Sequence, residues 1–80
     1  MNVVELGNKL NKMYNTKGVK KTTMIHLFGI IYAKEIHDAG VTSLEVVKAA
    51  QLQESYQTEV SKGINLSQYV ELKSEYKNKF

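Results

Sequence analysis

Apolar positions along the chain recur at helical steps. Val3, Leu6, Leu10 and Met13 follow one another by three or four, with Val4 and Tyr14 alongside and Asn8, Lys9, Asn11 and Lys12 on the other side. That spacing predicts an amphipathic helix over about residues 3–15. Asn15-Thr-Lys-Gly18 reads as a loop in which Gly18 is free to take a positive φ. A second helix is expected to start at Thr22 or Thr23, either of which can cap it, and to run to about Ala39. Met24, Ile25, Leu27, Phe28, Ile30, Ile31, Tyr32, Ala33 and Ile36 leave almost no polar face in its first three turns. A helix apolar nearly all round is buried nearly all round, so it is either the central strut of the fold or half of a homodimer interface.

The boundary after it is sharply marked. Gly40 suits the left-handed position that ends a helix. Thr42-Ser-Leu-Glu45 is a capping box, and Val41 and Val46 sit where a hydrophobic staple needs them. The third helix carries Leu44, Val46, Val47, Ala49 and Ala50. Leu52 and Gln53 then form a tight turn, and a fourth helix spans Glu54 to Lys62, closed by Gly63. The alternative is one long helix on which Ala49, Leu52, Tyr56 and Val60 align; two helices are favoured. The tail, with Leu66, Tyr69, Val70, Leu72 and Tyr76, is expected to return to the core as a short helix, leaving Lys77 to Phe80 frayed. Gly7, Gly18, Gly29 and Gly40 fall eleven apart, but their flanks do not match, so they are not a repeat. The expected fold is an all-α single domain over residues 1–80: a compact bundle of four or five short helices containing a helix-turn-helix.

Composition narrows the class. The 80 residues are 42% hydrophobic, with no cysteine, proline or tryptophan. That is one core held by apolar packing, without a disulfide framework or a cysteine zinc site. The longest apolar stretch, Met24 to Ala33, is interrupted by His26 and is half of the ~20 residues a membrane span needs. With no signal-peptide pattern at the start, a cytoplasmic protein without a membrane partner is expected. All eleven basic residues are lysine. Lys9, Lys12, Lys17, Lys20 and Lys21 face only Glu5 in the first 21 residues, whereas residues 22–63 are mildly acidic. The net +3 permits a polyanionic partner without demanding one.

Catalytic chemistry finds little footing. His26 and His37 are eleven apart, a rise of roughly 16 Å, so one chain cannot bring them to one metal ion. Glu35 and Asp38 resemble an acid–base pair but belong at a helix end, where such residues face water. No nucleophile elbow and no phosphate-cradling glycine run is present. Neither an enzyme nor a cofactor is expected. Tyr14, Tyr32, Tyr56 and Tyr69 read as core filling; only Tyr76, between Lys73 and Lys77, has the basic setting of a base-stacking platform.

The segment Ser43 to Gly63 carries the functional suggestion. Val46-Val-Lys-Ala-Ala-Gln-Leu-Gln-Glu-Ser-Tyr-Gln-Thr-Glu-Val60 resembles a DNA-binding helix-turn-helix, with Val47 and Ala50 at the helix crossing, Leu52 in the turn and Val60 at the later core position. Tyr56 supplies packing one step from the usual valine or isoleucine. Gln51 stands where glycine is usual, and Glu54 and Glu59 outnumber Lys62. With His-Leu-Phe-Gly at 26–29 and Ser-Tyr-Gln-Thr-Glu at 55–59, the chain looks like small prokaryotic or phage helix-turn-helix-like domains. The resemblance implies double-stranded DNA as partner and a role in transcription regulation or as the DNA-reading module of a larger system. Ser55, Gln57, Thr58, Ser61 and Lys62 would then face the groove, Gln57 pairing with adenine, while Lys17, Lys20 and Lys21 meet phosphate. Without arginine, modest specificity or a preference for A·T-rich sites is expected. The rival is a small adaptor that uses the same fold to bind protein.

Overall fold

Asn2 starts the first helix. Its side-chain oxygen accepts from the Glu5 amide at 2.9 Å, and the Glu5 carboxylate accepts from the Asn2 amide at 3.0 Å. This reciprocal cap launches α1, Val3–Tyr14, which turns Leu6, Leu10 and Met13 inward. The computed structural model describes all residues, 1–80. α2 spans Lys21–Ala39, starting ahead of the two threonines expected to cap it; Lys20 holds the cap position with no side-chain bond. Thr22 and Thr23 instead lie exposed in its first turn.

Gly40 ends α2 at φ 68°. Its amide donates to the His37 carbonyl, and that of Val41 to Ile36, which closes the last turn. The Thr42–Glu45 box follows as expected, with bonds of 3.1 and 3.0 Å, and opens α3, Ser43–Ala49. Val41 packs against the core and Val46 is fully buried, as a staple requires. A 3-10 turn at Glu54–Tyr56 leads into α4, Gln57–Leu66. Two helices rather than one therefore occupy residues 43–66.

Gly63 does not close α4 as expected; it lies inside the helix and is buried. A Cβ there would run into the carbonyl oxygen of His26 and come within 2.9 Å of Gly29 Cα. One at Gly29 would lie 2.6 Å from the Val60 carbonyl oxygen and 2.8 Å from Gly63 Cα. The two glycines let the backbones of α2 and α4 touch. Gly7 does the same for α1 against Ala49 of α3, where a Cβ would approach to 2.6 Å.

α2 is the central strut, with α1 and α4 packed against it. Its Met24, Ile25, Phe28, Tyr32 and Ile36 meet Leu6, Leu10 and Met13 of α1, Val46, Val47 and Ala50 around α3, and Val60 of α4 in one core. Three pairings fix the direction of α4 relative to α2. Lys21 and Tyr56 both close on Tyr14, His26 bonds Glu59, and Gly29 faces Gly63, so the two helices ascend together from a shared end.

The tail departs from expectation. It forms only one 3-10 turn, Ser74–Tyr76, and its end is not frayed. Phe80 packs against the core, and its main-chain oxygen accepts a hydrogen bond from the Tyr32 hydroxyl at 2.8 Å. Burial, and secondarily the nearby Glu35 carboxylate, raises the Tyr32 pKa and keeps that hydroxyl a donor. Glu35 is itself half-buried rather than facing water, whereas Asp38 is exposed. Tyr69 is 82% exposed and fills no core. Turns centred on Ser67–Tyr69 end α4 and swing that ring outward before helical periodicity could return it.

Candidate nucleic-acid interface

The turn between α3 and α4 is built without glycine. Gln51 adopts φ 61°, the one non-glycine residue with positive φ. The Gln51 amide donates to the Lys48 carbonyl at 3.0 Å and that of Leu52 to Val47 at 3.2 Å, the paired bonds of a Schellman ending. The same bond pattern closes α2 at Gly40, so Gln51 takes a conformation that costs an L-residue about 1–2 kcal/mol. Two contacts hold it there. Leu52 packs against the core. From α1, the Asn11 side chain donates to the Ala50 carbonyl at 2.9 Å. Asn11 reads as polar surface in the sequence, and only the tertiary fold reveals it as a brace for the turn.

The start of α4 is stapled to α1 and α2. The Tyr14 and Tyr56 hydroxyls lie 3.1 Å apart with ring centroids at 5.5 Å. The hydrogen bond with Tyr14 raises the Tyr56 pKa above its ordinary value, with Lys21 opposing weakly. Lys21 sits 4.4 Å from the centre of the Tyr14 ring and donates to the Tyr14 carbonyl at 3.1 Å. Its charge is therefore held beside the segment that carries Ser55 and Gln57. Lys20 precedes it at the cap of α2 and is exposed. Lys17, earlier in the loop, lines a groove against the tail.

Ser55 in the 3-10 turn is exposed; on α4 itself Thr58, Ser61 and Lys62 are exposed and Gln57 is half-buried. The Thr58 hydroxyl donates to the Ser55 carbonyl at 2.8 Å, and Ser61 bonds Ser43 of α3 at 2.9 Å. Asn65, one turn beyond Ser61 and Lys62, is exposed too, a member of this strip that sequence reasoning passed over.

Glu59 is engaged on both oxygens. His26 Nε2 lies 2.7 Å from Oε1 and Lys62 Nζ 3.2 Å from Oε2. The His26 hydrogen bond first, and the Lys62 hydrogen bond second, hold its pKa below the usual carboxylate value. The acidic balance of residues 54–62 is thus partly absorbed within the fold, leaving Glu54, in the 3-10 turn, as the exposed carboxylate of that segment without an ion-pair partner. His26 is half-buried, as a core-edge histidine should be, and its partner explains why.

Short helices around one apolar strut, with a sharp turn joining α3 to α4, define a small helix-turn-helix bundle. The chain belongs to the HTH-like domain family, whose model matches residues 2–73. The match reaches from the α1 cap into the tail, well beyond the 43–63 segment that carries the resemblance in sequence. No curated protein and no solved structure matches the chain.

Proposed function

We propose that this domain binds double-stranded DNA in the cytoplasm, with the first turns of α4 entering the major groove, as a transcription regulator or as the DNA-reading module of a larger system. The observation that carries the reading is the shared end of α2 and α4. Lys21 and Tyr56, the chain neighbour of Ser55 and Gln57, both close on Tyr14 there, and Lys20 precedes Lys21, which supports phosphate contacts flanking a reading element. Gln57 presents its amide to adenine, while Ser55, Thr58 and Ser61 offer hydroxyls to bases or phosphate. Lys17, Lys20, Lys21 and Lys62 neutralise the backbone.

The test is a titration with random-sequence duplex DNA, followed by amide NMR at low and at physiological salt. Salt-sensitive shifts concentrated at 17–21 and 55–62 are the expected result. Silence at low salt, where even non-specific binders hold on, refutes it. One observation favours a second reading. Leu66 at the end of α4 and Tyr69 and Val70 just past it are 43, 82 and 47% exposed, an apolar cluster suited to a protein partner or a second copy of the chain.

A further inference from the structure

We propose that the groove between α1, α2 and the C-terminal tail binds a small amphiphilic anion, a straight-chain carboxylate or its chemical equivalent. The groove has a volume of about 770 Å³, within the range of small-molecule sites. Its floor is apolar: Met13, Met24, Leu27 and Ile30 from the helices, Leu72 and Phe80 from the tail. Met13 and Met24 are almost wholly buried, and flexible thioethers adapt readily to an aliphatic guest. The tail wall is anchored at its far end by the bond from Tyr32 to the Phe80 main-chain oxygen.

The rim has one sign. Lys9 and Lys12 of α1, Lys17 of the loop, and Lys73 and Lys79 of the tail surround the floor, with Glu71 the one acidic side chain in the lining. Lysine stems extend an apolar wall while their ammoniums stay in water at the mouth. A guest with an aliphatic body on the floor and an anionic head at the mouth satisfies both features, whereas a cationic amphiphile meets like charge. A helix ~10 Å across would fill this volume in under about two turns, too short for a set of anchors at i, i+3, i+4 and i+7. The groove lies apart from the Ser55–Lys62 strip and shares only Lys17 with the DNA reading, so either stands if the other fails.

The test is calorimetric and NMR titration of the full chain with sodium decanoate below its micelle concentration, with decyltrimethylammonium as the cationic counterpart. Saturable decanoate binding with shifts at the groove residues is expected, and the cation should bind about tenfold more weakly. Lys12→Glu with Lys73→Glu, both exposed positions, should weaken decanoate by about tenfold or more with the circular dichroism spectrum unchanged. Leu72→Trp, which fills the floor without altering charge, should abolish binding. Equal affinity for both detergents, shifts scattered over the surface, indifference to the lysine changes, or a dimer that covers the groove would each overturn the assignment.

Discussion

Replacing Gly63 by alanine separates two accounts of that residue by the sign of the result. Alanine in place of glycine inside a helix ordinarily stabilises by about 0.8–1 kcal/mol, because the flexible residue is lost from the unfolded chain. At Gly63 the new methyl must displace the His26 carbonyl and part the α2 and α4 backbones where Gly29 Cα would stand 2.9 Å away. Ordinary carbon contacts begin near ~3.5 Å, so the helices must separate by several tenths of an ångström along their closest stretch. The partners are backbone atoms and cannot rotate away. Overpacking of this kind costs about 1–3 kcal/mol, and loss of the His26–Glu59 bond across the same seam adds to it. The net expectation is destabilisation by about 1–2 kcal/mol after the helix-propensity gain. In a domain this size that lowers the thermal midpoint by roughly 4–16 °C. Urea unfolding followed by circular dichroism measures it. Gly29→Ala should behave alike, and the double variant should cost less than the two together, since helices already parted accept the second methyl more easily. A Gly63→Ala protein more stable than the parent would refute the close crossing.

Gln51→Gly should leave the turn intact and stabilise it by up to about 1 kcal/mol, the relief of left-handed strain less the extra chain entropy of glycine, read from the same urea curves. Gln57→Ala should change the preferred base at one position of a selected DNA site while the thermal midpoint holds; equal loss on every sequence would remove Gln57 as a reader. Glu59 has a folded pKa below its unfolded one, so its contribution to stability is present above about pH 4.5 and fades as pH falls through the folded value. Glu59→Gln should therefore destabilise at pH 7 and make little difference near pH 3, and a penalty independent of pH would point to packing instead of charge.

Where a residue's role was local, the sequence disclosed it. The Gly40 stop, the Thr42–Glu45 box and the Val41–Val46 staple involve neighbours within five positions, and each is found where its spacing put it. Asn2 and Glu5 form an equally local box, with the same three-residue spacing as Thr42 and Glu45. Roles that depend on distant partners were opaque. Gly63 looked like a stop because glycine ends helices more often than it lines a crossing, and the distinction lies in Gly29, 34 positions away. Asn11 gave no sign of its bond to Ala50, nor Tyr69 of its exposure, since both follow from how α3 and the tail are laid down. In the candidate site, the outward strip of α4 was legible from its period of three and four. The capture of Glu59 by His26 was not, as it needs α2 and α4 to ascend side by side.

That capture bears on how tightly DNA can be held, and on how many chains hold it. Each lysine that neutralises a phosphate contributes about −0.9 to the slope of log affinity against log salt. Lys17, Lys20, Lys21 and Lys62 bound one chain's slope at about −3.6, and Lys62 is already shared with Glu59 at 3.2 Å. A single domain should therefore show a slope of about −2.7 to −3.6, with affinity that drops by roughly 40- to 150-fold from 50 to 200 mM salt. Two copies on adjacent half-sites would give about −5.4 to −7.2. Anisotropy titrations of a labelled duplex across that salt range discriminate the two states. Glu59→Gln frees Lys62 and should steepen the slope toward the full four contacts; a slope near zero in either protein would mean that the lysines are not on the phosphates, and the exposed Leu66–Val70 cluster would become the surface to pursue.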